Sequence, residues 1–94
     1  MTLEFRAWLF SLRDKQTRAR IIARIRSAEL GNFGDTKPVG EGVSEMRVHF
    51  GAGYRLYFKR KGDVVYLLLA GGDKSTQSRD IARAIAVARM LDKD

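Results

Sequence analysis

Residues 44–58 read Ser-Glu-Met-Arg-Val-His-Phe-Gly-Ala-Gly-Tyr-Arg-Leu-Tyr-Phe, and on both sides of the glycines the side chains alternate. Met46, Val48 and Phe50 point one way and Glu45, Arg47 and His49 the other, because successive strand residues face opposite sides of a sheet. After Gly51-Ala52-Gly53 the period of two resumes, with Tyr54, Leu56 and Phe58 on one side and Arg55, Tyr57 and Lys59 on the other. Two such runs joined by a short glycine turn make an antiparallel hairpin with one apolar and one polar face.

Working outward, Arg60-Lys61-Gly62-Asp63 reads as a second turn, and residues 64–69 are apolar on both faces, the pattern of a central strand. Gly71-Gly72-Asp73-Lys74 breaks that strand. Ser75 or Thr76 can then cap a final helix whose stripe is Ile81, Ala84, Ile85, Ala88 and Leu91. Upstream, Phe5, Trp8, Leu9 and Leu12 recur at helical spacing in a segment opened by Thr2 and ending near Asp14. A second helix spans residues 15–30, with Ile21, Ile22, Ile25 and Ala28 on one face and Gly31 as its left-handed stop. The two should form a helical hairpin. Residues 31–42 hold four of the nine glycines and the only proline, Pro38, and read as a crossing loop.

With 94 residues the chain accommodates one domain, residues 1–94, which buries roughly 60% of its unfolded surface on folding. An apolar fraction of 45% argues against disorder. No cysteine is present and there is a single histidine, so no metal site and no cofactor is expected. The longest apolar run, residues 64–70, is too short to cross a bilayer, and the N-terminus lacks the pattern of a secretory signal. A cytoplasmic protein with no membrane partner is the expectation.

Eighteen Lys and Arg against eleven Asp and Glu give a net charge of +7, a balance that suits a polyanion or an acidic protein segment. Arg13, Lys15, Arg18, Arg20, Arg24 and Arg26 flank the apolar stripe of the second helix, either as a binding ridge or as a solvated face whose stems cover apolar surface. The polar sheet face should present Glu45, Arg47, His49, Arg55, Tyr57 and Lys59 side by side, with Lys74 just beyond. Arginines can hold a phosphate by charge and paired hydrogen bonds, an aromatic ring can stack on a base, and histidine can move a proton. The same face could equally be an ordinary wet side of an antiparallel sheet. Gly71-Gly72-Asp73-Lys74 lacks the spacing of a nucleotide-binding phosphate loop.

Four blocks in order carry a resemblance: Gly-Asn-Phe-Gly-Asp at 31–35, Val-Gly-Glu-Gly-Val-Ser-Glu-Met-Arg at 39–47, Gly-Ala-Gly-Tyr-Arg-Leu-Tyr-Phe at 51–58, and Leu-Leu-Ala-Gly-Gly-Asp-Lys-Ser-Thr-Gln at 68–77 followed by Asp80-Ile81. Together they resemble the addiction-module killer proteins, a branch of the RelE/ParE toxin superfamily close to the HigB group. The resemblance implies an α+β fold, a helical hairpin on an antiparallel sheet of three to four strands with a C-terminal helix. It also implies the toxin of a bacterial type II toxin–antitoxin pair. RelE-like members cut messenger RNA on the ribosome through attack of a 2′-hydroxyl on the adjacent phosphate, whereas ParE-like members poison DNA gyrase. A degenerate toxin kept as an antitoxin-binding co-repressor is a third possibility. The implied partners are a cognate DNA-binding antitoxin from the neighbouring gene, and the ribosome with its message.

Carried over by position, Arg55 matches the phosphate-binding arginine of RelE-like enzymes, Arg47 a basic position on the preceding strand, and Lys74 the basic position after the last strand. His49 is implied as proton carrier or phosphate ligand, and Tyr57, Lys59 and Asp80 as substrate contacts. Two departures stand out. RelE-like nucleases often carry Tyr or His near an end of the last helix, where this chain has Asp80 and neither residue after Tyr66. The superfamily usually opens on an edge strand, and here only residues 1–3 precede the first helix, so the strand is vestigial or the start lies upstream.

Overall fold

The computed structural model describes residues 1–61 and 65–91. Helices α1 (Leu3–Ser11) and α2 (Lys15–Glu29) are followed by strands β1 (Thr36–Gly40), β2 (Val43–Val48), β3 (Tyr54–Lys61) and β4 (Val65–Asp73), a short 3-10 turn (Lys74–Thr76), and helix α3 (Gln77–Leu91). The fold is α+β, as expected, with one four-stranded antiparallel sheet in the order β1-β2-β3-β4.

Local chemistry sets the helix ends. The Thr2 hydroxyl accepts from Phe5 N and donates to the Leu69 carbonyl, so one side chain caps α1 and ties it to β4. Asp14 accepts from Gln16 N and from the Thr17 hydroxyl, which starts α2 where the sequence placed it. The first helix stops at Ser11, short of Asp14.

Phe5 and Leu9 of α1 and Ile21, Ile25 and Ala28 of α2 pack with Met46, Val48, Leu56, Phe58 and Leu68 on one sheet face. Fully burying side chains of this size contributes about 1.5–3 kcal/mol each, so this layer is the main hydrophobic store of the fold. On the opposite face α3 sets Ala84 and Ala88 against Val43, Tyr57, Leu69 and Ala70. The small alanines let α3 come close to the sheet.

Three expectations change here. Residues 36–40, read as loop, form β1, an exposed edge strand whose Pro38 needs no partner for a missing N–H. Its turn to β2 uses Glu41 and Gly42, both at positive φ, as a two-residue hairpin turn favours. Strand β4 is an edge strand and not a central one, with Leu68 packed on the side of α1 and α2 and Leu69 and Ala70 on the side of α3. Beyond its outer edge Thr2 N donates to the Leu68 carbonyl, so the residues before α1 make backbone contact there without forming a strand. Strand β4 runs on through Gly71 and Gly72 to Asp73, where the sequence predicts a break, and Asp73 then caps the 3-10 turn by accepting from Ser75 N at 2.8 Å, with α3 starting directly after Thr76. The expected turn at residues 60–63 lies partly outside the described residues, with β3 continuing through Arg60 and Lys61.

Gly71 and Gly72 owe their identity to close approach. A Cβ on Gly71 would sit 2.2 Å from the Trp8 ring, and one on Gly72 would sit 1.8 Å from an Asp80 carboxylate oxygen. Trp8 cannot retreat freely, since its ring packs between Phe5 and Tyr54 at centroid distances of 5.6 and 6.4 Å. Gly71→Ala is therefore expected to destabilise by about 2 kcal/mol in urea titrations. Because Trp8 is the sole tryptophan, its emission should shift in the folded variant.

Candidate functional site

The register puts Arg47 of β2 directly opposite Arg55 of β3, and Arg55 opposite Gly72 of β4. Like charges on facing residues destabilise a sheet unless something stands between them. Glu45 does so. It is fully buried, its Oε1 accepts from Arg47 Nε at 3.2 Å, and its Oε2 lies 3.4 Å from Arg55 Nε. Oε2 also accepts from Gln77 Nε2 at 2.8 Å and from the Tyr57 hydroxyl at 3.3 Å. The Arg55 Nε contact is one of charge, without an aligned hydrogen bond.

Burial opposes charge on Glu45, but hydrogen bonds from Gln77 and Arg47 and the charges of Arg55 and Arg47 prevail and hold its carboxyl below the ordinary 4.5. Burial, then the Glu45 and Asp80 charges, push the Tyr57 phenol well up, so it remains a donor. A carboxyl with a depressed folded pKa stabilises above its unfolded value and loses that contribution as pH falls through the folded value. Stability is thus expected to decline below about pH 4.5. Glu45→Gln, which cannot titrate, should flatten that decline in unfolding curves taken at a series of pH values.

Arg47 is hydrogen-bonded to Glu45 through Nε, Arg55 turns its Nε to the same carboxylate by charge alone, and among the described residues no hydrogen bond engages the Nη groups of either. Both arginines line a concavity of about 410 Å³ at the end of the sheet, together with His49, Lys74, Phe50, Tyr54 and the turn at 51–53. Lys74 N donates to the Gly53 carbonyl at 3.1 Å, which brings the start of the 3-10 turn against the hairpin. His49 Nε2 lies 2.7 Å from Asp35 Oδ2. That hydrogen bond outweighs desolvation and, with the charges of Arg47, His49 and Arg24, keeps the Asp35 carboxyl below its usual range.

The structure thus brings Arg47, Arg55, Lys74 and His49 to one place and leaves three expected residues elsewhere. Tyr57 is fully buried under α3 and faces Glu45, so its ring is closed to a base. Asp80 is buried beneath Gly72, where it accepts from the Thr76 hydroxyl at 2.5 Å. Lys59 lies four residues along β3 from Arg55, about 13 Å away, opposite Val43 and beside Gly42. The polar face is not open and continuous, because α3 covers its middle. Sequence reasoning passed over Phe50 and Tyr54, assigned to the core, and the supporting Asp35 and Gln77. The Gly-Asp at 34–35 and the Gln77 after Ser-Thr were signals of position, not of contact.

A family model described as phage-derived protein Gp49-like (DUF891) matches residues 7–91. The chain belongs to this family. The Gp49-like family is a toxin-like family of toxin–antitoxin systems. A Haemophilus influenzae strain Rd protein, described as uncharacterized, is 47% identical to this Gp49-like chain over 90 residues, covering 96% of this chain and 91% of its own length. No solved structure matches. Among the described residues of the Gp49-like chain, no helix is long and apolar enough to cross a membrane, and no cluster of His, Cys, Asp and Glu could hold a metal ion.

Proposed function

We propose that this Gp49-like chain is a RelE/HigB-type toxin of a type II toxin–antitoxin pair and that it cuts messenger RNA in the ribosomal A site. The supporting observation is the concavity lined by Arg47, Arg55 and Lys74, with both arginines turned Nε-first to one buried carboxylate. A phosphodiester in that cup would meet forked Nη donors and an ammonium. As the 2′-oxygen attacks phosphorus and the bond to the 5′-oxygen breaks, negative charge grows on the non-bridging oxygens, and preorganised cations stabilise it. The products are a 2′,3′-cyclic phosphate and a 5′-hydroxyl. One proton leaves the 2′-hydroxyl and one reaches the departing 5′-oxygen. His49 is the proton carrier of this reading, with Nε2 held by Asp35 and Nδ1 left for substrate.

The antitoxin would approach a +7 chain through an acidic or apolar segment, associating quickly and with strong salt dependence in the cytoplasm. One observation favours a second reading, gyrase inhibition without chemistry: α3 carries buried Asp80 in the region where RelE-like nucleases place Tyr or His. Brief induction without antitoxin, with messenger RNA 5′ ends mapped and DNA breaks assayed in parallel, separates the readings. Ends in register with codons support the nuclease, and intact messages with broken DNA support gyrase inhibition. Neither effect leaves an antitoxin-binding co-repressor.

A further inference from the structure

The cationic cup has a second wall that the chemistry above does not use. Phe50 and Tyr54 line it from the side that packs on α1 and α2, whereas Arg47 and Arg55 lie on the side of Glu45 and α3. Phe50 is held in place by its backbone, its N–H donating to the Val48 carbonyl and its carbonyl accepting from Gly53 N, both at 3.0 Å. Over its ring, 4.6 Å from the centroid, sits the guanidinium carbon of Arg20 from α2.

Arg20 stands apart from its neighbours on α2. Arg24 donates to the Phe33 carbonyl at 2.9 Å and so anchors the segment before β1. Arg20 is exposed, has no acidic partner among the described residues, and has the Phe50 ring as its contact. A guanidinium lying against an aromatic ring is weakly hydrated and keeps its other planar face open, and unpaired nucleobases stack on such planes.

We infer that Arg20 is a nucleobase-stacking residue: with its guanidinium seated on Phe50, it forms a shelf for the base of a nucleotide whose phosphate lies among Arg47, Arg55 and Lys74. This rests on the RNA reading of the cup. A single-stranded nucleotide would then span the end of the sheet, phosphate on the α3 side and base on the α2 side. The arginine ridge of α2 accordingly divides into a structural member, Arg24, and a ligand-facing one, Arg20.

Lysine keeps the charge of arginine and loses the plane, so the test is Arg20→Lys. The probe is a short single-stranded RNA methylated at every 2′-oxygen, which cannot be cleaved, with binding followed by fluorescence anisotropy at low salt. Arg20→Lys should weaken binding about tenfold while leaving the salt slope unchanged, and Arg20→Ala should weaken it further and lower the slope by about one. An otherwise identical abasic RNA should bind the parent and Arg20→Lys equally. Parental affinity in Arg20→Lys, or an equal loss on the abasic probe, overturns the stacking role. Arg55→Ala, run beside it, separates the two levels: if it weakens binding and Arg20→Lys does not, only the shelf fails. If neither weakens binding, or the parent binds no RNA, the RNA reading of the cup fails with it.

Discussion

Glu45→Ala should cost the fold about 3–5 kcal/mol, a large share of the roughly 5–15 kcal/mol that holds a small domain together. The substitution removes the one carboxylate between two arginines that face each other across β2 and β3. It also deprives the Tyr57 hydroxyl and the Gln77 amide of their acceptor within the packed layer between sheet and α3. A buried donor that loses its partner adds to the destabilisation. Adding Arg55→Met to Glu45→Ala removes the repelling charge and fills its space with apolar atoms, so the double variant should be more stable than Glu45→Ala alone. Urea titration of the parent and both variants reads this directly. A loss under about 1 kcal/mol in Glu45→Ala would show that Glu45 is not what reconciles the two arginines.

Arg55→Ala should leave the chain folded and slow cleavage by about 10²- to 10³-fold, the effect of deleting one preorganised donor from a transition-state site. Glu45 keeps Arg47, Gln77 and Tyr57 as partners in this variant, so the network persists with one positive charge fewer. Arg55→Lys should fall between parent and Ala, since an ammonium supplies charge without the fork that grips two phosphate oxygens. The measurement is a single-turnover cleavage rate on programmed ribosomes, with thermal unfolding as the control for folding. Equal rates for Arg55→Lys and Arg55→Ala would mean that the fork, not charge, is what Arg55 supplies. A parental rate in Arg55→Ala would remove it from the site.

The hairpin at residues 44–58 was legible because its apolar residues recur every second position and its glycine turn is short. The α3 stripe was legible for the matching helical reason. Strand β1 was not, because an exposed edge strand carries no apolar alternation, and Thr36, Lys37, Pro38 and Gly40 read as loop. The candidate site was half legible. Arg47, Arg55 and Lys74 were placed by strand parity and by the end of β4, and they do converge. Tyr57 and Glu45 were misjudged as exposed because parity says which side a residue faces, not what covers that side. The hints were Ala84 and Ala88 on α3 and the paired glycines of β4, small residues that permit two layers to approach. Phe50 and Tyr54 were lost to the core by the same parity rule, since at the end of a sheet a residue can pack on the core and still line a cleft.

The most direct test of the central claim is the chemistry of the cut ends when purified chain acts on a ribosome programmed with a defined message. A 5′-hydroxyl on one fragment and a 2′,3′-cyclic phosphate on the other are expected, with no cut when the nucleotide before the scissile bond is 2′-deoxy. Fragments ending in 5′-phosphate, cleavage that survives the 2′-deoxy substitution, or an intact message would contradict it.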